Sequence, residues 1–342
     1  MQKKLIALAV AGLVSAPAFA QSNVTIYGVV DMGISHRSDN IVSGVKSQTA
    51  VNSGQQSGNR LGFRGTEDLG NGLKAGFVLE QGFTVDDGQS RTDGVWSRQS
   101  FLTLSGGFGT VAFGRQYSPQ FNMVAAIDPF GGAGTVGQVN NLYTLNTRLD
   151  NTVAYVSPSF SGLNVTVAHS TNAAGQENAG NVGDTRVWAI SPVYSNGPLM
   201  VALNYYQLKA NKVTPNPTLK VWDLGATYDF GVAKVAALYG KRDVSATVDR
   251  TTWMVGATVP VGAAGAVLAS YTRAENDVPV VADPRSSQWA LGYTHNLSKR
   301  TNLYAAYADI SNKNGAAASV GDASNGGAGY QQGMNVGLRH RF

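Results

Sequence analysis

The sequence predicts an all-β protein: a 16-stranded antiparallel barrel that crosses a membrane. Three observations carry this reading. Apolar and polar residues alternate with period two in one segment after another, the pattern of strands with one apolar and one polar face. Seven short turns alternate with eight long polar loops, as an up-and-down barrel with two unlike ends requires and a β-sandwich does not. Aromatic residues collect near strand ends, where a membrane interface favours them.

In chain order, the first stretch reads as an address. Lys3 and Lys4 precede a short apolar run from Leu5 to Val14, and Ala18-Phe19-Ala20 offers a cleavage site. The run is too short to span a bilayer as a helix. Residues 1–20 are therefore expected to be a signal peptide, with the barrel in residues 21–342. Without the leader the chain has 24 basic against 21 acidic residues, a balance too mild to imply nucleic acid as a partner. There is no cysteine, and His36, His169, His295 and His340 are dispersed, so a Cys/His metal cluster is not expected. No cofactor is expected either.

Strands follow. Val24 to Asp31 opens the series; Leu73, Ala75, Phe77 and Leu79 alternate with Lys74, Gly76, Val78 and Glu80. Leu163, Val165 and Val167 continue the pattern, and Val336, Leu338, His340 and Phe342 close it. The short connections, such as Asp68-Leu69-Gly70-Asn71-Gly72 and Ser195-Asn196-Gly197-Pro198, carry turn chemistry. The long ones lie near 38–57, 86–94, 117–147, 171–184, 209–218, 242–250, 274–286 and 311–329. Tyr27, Phe63, Trp188, Tyr194, Tyr205, Trp222, Tyr228, Trp253, Tyr271, Trp289, Tyr293, Tyr304 and Tyr307 are assigned to interfacial girdles. The stretch from Tyr117 to Arg148 stands apart as a long, structureless, Gly- and Asn-rich insertion, a type that is usually functional or disordered.

Several stretches resemble the general porins of Gram-negative outer membranes, in their β-proteobacterial version. They are Val24 to Asp31, Arg60-Leu61-Gly62-Phe63-Arg64-Gly65-Thr66-Glu67-Asp68-Leu69-Gly70, Leu104 to Thr110, Phe113 to Tyr117, Asp128-Pro129-Phe130-Gly131-Gly132 and Gly337 to Phe342. The resemblance implies a water-filled channel for passive passage of small hydrophilic solutes and ions, formed by a homotrimer in outer-membrane lipid and lipopolysaccharide. It also implies a third loop folded inward, bent at Pro129, Phe130, Gly131 and Gly132, and a terminal Phe342 that serves as the signal to the barrel-assembly machinery.

A pore sorts solutes by width and by the charge at its narrowest part. With Leu61 and Phe63 outward, Arg60 and Arg64 face inward; with Phe77 and Leu79 outward, so do Lys74 and Glu80. Phe101 outward puts Arg98 inward, although Leu102 and Leu104 then point in as well. Val153 and Tyr155 outward put Arg148 inward. In the resembling family a basic ladder faces acidic groups near the third loop, which makes Arg60 and Arg98 the ladder candidates and Glu80 and Asp128 the acidic ones. Arg148 matches more loosely, because the family often places its third arginine where this chain has Ala154. Asp128 also suits a simple turn-forming role. No acidic residue lies between Asp128 and Asp150, so an anion preference is expected. The rivals are a substrate-specific outer-membrane channel, a barrel enzyme using His36 or His169, and a secreted carbohydrate-binding β-protein. No catalytic signature such as G-x-S-x-G or H-E-x-x-H is found.

Overall fold

The computed structural model describes residues 23–42, 44–90, 94–132, 134–175, 177, 185–210, 217–244, 249–277, 282–321 and 329–342; the expected signal peptide lies outside them. The strands are β1 Asn23–Asn40, β2 Ser47–Ser53, β3 Arg60–Gly70, β4 Leu73–Gly82, β5 Gln99–Gly106 and β6 Gly109–Tyr117. A helix, α1 Pro119–Ile127, intervenes. There follow β7 Arg148–Val156, β8 Leu163–Ser170, β9 Thr185–Asn196, β10 Leu199–Ala210, β11 Thr218–Asp229 and β12 Lys234–Val244. The last are β13 Asp249–Val261, β14 Gly265–Asp277, β15 Arg285–Asn296, β16 Thr301–Lys313 and β17 Tyr330–Arg341.

Apart from β2 and β3, each strand pairs antiparallel with the next, and β17 returns to β1 with Val29 opposite Arg341 and Asn40 opposite Tyr330. The other edge of β1 is shared. β3 pairs with its first half (Asn23 opposite Thr66) and β2 with its second (Met32 opposite Ser53). These two strands therefore fill a single position, and the closed ring has 16. Seven short turns alternate with the long loops, as the sequence reading expects. At the first turn Asn71 (φ 52) and Gly72 (φ 79) are both left-handed, the geometry that matches the twist of a two-residue hairpin.

The loop expected near 38–57 is corrected: β1 runs to Asn40, and β2 at Ser47–Ser53 forms a strand within that stretch, leaving a break of residues 54–59 before β3. Asp31, fully buried on β1, organises it by accepting from the amides of Gln56 (2.9 Å) and Ser57 (2.6 Å) and from the Tyr304 hydroxyl (2.5 Å). The Asp31 amide in turn donates to Asn59 Oδ1 at 2.6 Å. Residues 54–59 are thereby held out of the ladder and on its inner side.

Burial separates the two faces. Val24, Ile26, Leu102, Phe113 and Val153 are exposed and point outward, while Asp31, Ser35, Asn204, Asp223 and Gln288 on the alternate parity are buried. A row of rings runs along the outward face of β11–β16 near the long loops. Trp222 packs on Tyr239 (5.3 Å between centroids), Trp253 on Tyr271 (5.4 Å) and Trp289 on Tyr307 (5.2 Å). Direct cross-strand neighbours link these pairs, Tyr239 opposite Trp253 and Tyr271 opposite Trp289.

Two further expectations are corrected. Tyr27 and Tyr304 do not belong to the girdle: both lie on the inner parity, with hydroxyls donating to Glu80 (3.2 Å) and Asp31. On β5 the outward residues are Leu102 and Leu104, each opposite another outward side chain, so Phe101 shares the inner parity. Arg98 still turns inward, because it lies just before β5 and escapes that strand's parity.

Replacing Asp31 by alanine would strip two part-buried amides and a buried hydroxyl of their acceptor, a loss of roughly 2–4 kcal/mol. The expected result is a clearly lower unfolding midpoint in detergent. An unchanged midpoint would show that the notch does not depend on this carboxylate.

Candidate pore constriction

The stretch from Ser118 to Thr147 is not structureless. Ser118 caps α1 by accepting from the Phe121 amide (3.0 Å), and Pro119 fills the first turn, where its missing N–H costs nothing. Met123, Val124 and Ile127 form one buried face and pack on Ala202, Ala236, Leu238 and Met254 of β10, β12 and β13. Asp128 ends the helix.

The rest of the segment reaches strands all around the ring. Tyr143 donates to Asp223 on β11, Asn141 Nδ2 donates to Gln288 on β15 (2.7 Å), and Arg250 on β13 donates to the Leu142 carbonyl (2.5 Å). On the far side Thr135 donates its amide (2.9 Å) and hydroxyl (2.8 Å) to the backbone and side chain of Gln55, in the notch between β2 and β3. A segment bonded to β11, β13, β15 and the β2–β3 notch at once lies within the ring.

Between this segment and the wall of β3–β7 is a cavity of about 400 Å³. Its lining includes Arg60, Arg98, Arg148 and Tyr117 on the wall side and Phe121, Ala125 and Gln138 on the loop side. Arg98 Nε bonds Glu80 at 2.7 Å, and Arg60 lies 4.0 Å from the same carboxylate. Arg98 Nη2 (2.6 Å) and Arg60 Nη1 (3.4 Å) both donate to the Tyr117 hydroxyl. The Arg148 guanidinium stands over the Tyr117 ring, 5.0 Å from its centroid, a cation–π distance. The ring also stacks on Phe121 of α1 at 4.6 Å.

Arg60, Arg98, Arg148 and Glu80 are thus brought together. Tyr117 joins all three arginines, yet sequence reasoning gave it no role. The available signal was its position at the end of β6, directly opposite Arg148. Asp128 lies elsewhere: it is 5% exposed and accepts from the amides of Phe130 (3.0 Å), Gly132 (3.0 Å) and Val139 (2.9 Å). Burial pushes its carboxyl up to about 6, while the three amides pull it down. It holds the bend Pro129-Phe130-Gly131-Gly132 closed and is absent from the cavity lining. Among the described residues lining the cavity there are three arginines and no aspartate or glutamate.

Residues 7–315 match the family model for Gram-negative porins. The chain belongs to that family. Two porins align with it over the full length of both chains: outer membrane porin protein 32 of Delftia acidovorans, 35% identical, and an outer membrane porin protein of Bordetella pertussis, 33% identical. The solved anion-selective porin from Comamonas acidovorans superposes with a TM-score of 0.80 at 32% identity, covering 94% of this chain and 100% of that one. The trimer form of OmpT of Vibrio cholerae shares the fold with a TM-score of 0.73 at 17% identity, over 94% of this chain and 99% of its own. This porin is a channel-forming protein of the outer membrane.

If Asp128 serves the bend alone, Asp128→Asn, which keeps one carbonyl acceptor, leaves the reversal potential under a salt gradient unchanged. Asp128→Ala leaves three amides without that acceptor, and open-channel current noise is expected to rise as the bend loosens. A reversal-potential shift in Asp128→Asn would instead place this carboxylate on the ion path.

Proposed function

We propose that this porin is a general diffusion channel with a preference for anions, and that Arg60, Arg98 and Arg148 form the selective wall of its constriction. The cavity lining carries the reading: three guanidinium groups and no carboxylate among the described residues. Charge of one sign in a narrow aqueous gap raises the local concentration of counter-ions. Glu80 stands behind the arginines. It offsets part of their charge and anchors Arg98, leaving a net positive wall toward the loop. The loop opposes them with bulk and polar groups, in keeping with the absence of acids from Pro129 to Leu149. Passive conduction needs no nucleophile or metal.

The assembled state is a homotrimer. Its support is the outward face of β1–β6, where Val24, Ile26, Ile34, Leu102, Leu104 and Phe113 are exposed and the Trp/Tyr row of β11–β16 does not continue. Residues 1–20 are the export signal. Phe342 is the assembly signal, and its backbone pairs with Gly28 in both directions (3.1 and 3.2 Å), so the last residue takes part in closing the ring.

The decisive measurement is a reversal potential in a planar bilayer under a salt gradient. Anion preference is expected; a clear cation preference overturns the proposal. Neutralising Arg60 and Arg98 should lower the anion-to-cation permeability ratio, and Glu80→Gln should raise it. Each single charge is expected to change the ratio by roughly twofold to fivefold, from about 1 kcal/mol between charges near 4 Å in water.

A further inference from the structure

The wall that carries the inward loop is built from residues without bulk. Gly225, Gly240, Gly256 and Gly292 stand on the inner faces of β11, β12, β13 and β15, and one side chain of the loop is seated against each. Ile127 Cδ1 occupies the space that a Cβ would take at Gly225, and the Tyr143 hydroxyl does so at Gly240. A Cβ at Gly256 would stand 2.7 Å from Pro129 Cγ, and one at Gly292 would stand 2.8 Å from Phe130 Cε1. Carbon atoms rest at about 3.5–4.0 Å, so alanine would block every one of these seats. Glycine inside a strand weakens the sheet and often marks a close approach by another part of the chain. Four on the same side of one barrel, on β11, β12, β13 and β15 and each filled by the same loop, mark a shared line of approach.

We propose that these four glycines are a docking track that sets how far the loop stands from the arginine wall, and therefore how wide and how selective the constriction is. The proposal rests on the reading of that cavity as the pore. Its direction follows from the packing order. Met123, Val124 and Ile127 face the track, whereas Phe121 and Ala125 line the cavity. The loop lies between track and pore. A methyl group added to the track moves the loop toward Arg60 and Arg98 by about 1 Å, the overlap to be relieved, and the gap narrows.

The test is single-channel conductance of the full protein in planar bilayers, with correct folding checked by heat-modifiable gel migration. Gly225→Ala and Gly292→Ala are each expected to lower conductance, by roughly a third for such a shift in a narrow gap. Adding Ile127→Val to Gly225→Ala deletes the Cδ1 that collides and should restore conductance. If Gly225→Ala fails to fold, the same second change should recover folding. Gly76→Ala serves as the control: its Cβ would meet Thr103 and no residue of the loop, and conductance should not change. Folded Gly225→Ala and Gly292→Ala channels with wild-type conductance, or a double variant no better than Gly225→Ala, would overturn the track. A wild-type chain that opens no channel would instead overturn the pore reading on which the track depends.

Discussion

Everything in this molecule depends on closing the sheet. Inside hydrocarbon an unpaired backbone N–H or C=O costs several kcal/mol, and a strand edge is a whole row of them. The ring therefore has to meet itself, and it does so along β1, which finds β17 on one side and both β2 and β3 on the other. The closure extends to the last residue. Phe342 pairs with Gly28 through both backbone groups, and its ring lies where a side chain at position 28 would stand. Once the ring is closed, alternation assigns every side chain to lipid or to the interior.

The interior is then divided between two unlike walls. On β10–β13 the inner face carries an apolar patch, Ala202, Ala236, Leu238 and Met254, beside polar Asn204, Asp223 and Arg250, and the patch is unsuited to a water-filled lumen. It is tolerable because the helix after Ser118 covers it and buries Met123, Val124 and Ile127 in exchange. On β3 and the approach to β5 the inner positions hold arginines, which remain beside open space. The long loop thus has one job with two consequences. By shielding the apolar patch it leaves, on the proposed reading, the aqueous path beside Arg60, Arg98 and Arg148. The notch at residues 54–59 completes the arrangement, since Gln55 receives the tip of the loop and Asp31 holds the notch in place.

The sequence made the ring legible because period-two alternation and turn residues are local signals. The number of strands, the short and long ends and the inward parity of Arg60 and Glu80 follow from them; Arg98 turns inward outside that parity. What it concealed needed contacts between distant residues. Tyr27 and Tyr304 look like girdle residues by type, and only their hydroxyl bonds to Glu80 and Asp31 reveal that they point inward. The β2–β3 break is a polar stretch with turn residues that continues smoothly from a long loop, so nothing local separates it from that loop. Phe101 misleads for a related reason: an aromatic next to two leucines offers both parities an apolar residue. The helix had a visible signature in Ser118-Pro119 followed by Met123, Val124 and Ile127, but the Gly-rich residues after it dominated the reading.

The charge arrangement at the wall meets two opposing demands. Two guanidinium groups on one phenolic oxygen, with a third over the same ring, repel one another, and like charges about 5 Å apart cost roughly 1–3 kcal/mol between the dielectric of water and that of a protein surface. Without a carboxylate the arginines would splay into the lumen and lose their positions. With one carboxylate for each arginine the wall would be neutral and could not sort ions. A single Glu80, bonded to Arg98 and to Tyr27, lies between these extremes. It fixes Arg98 firmly and stands 4.0 Å from Arg60, which also donates to Ser57 Oγ (2.7 Å). Tyr117 is a neutral partner that orients the guanidinium groups without cancelling their charge. The proposed anion preference asks for this balance: a field that draws an anion in, and no closed set of partners to hold it there.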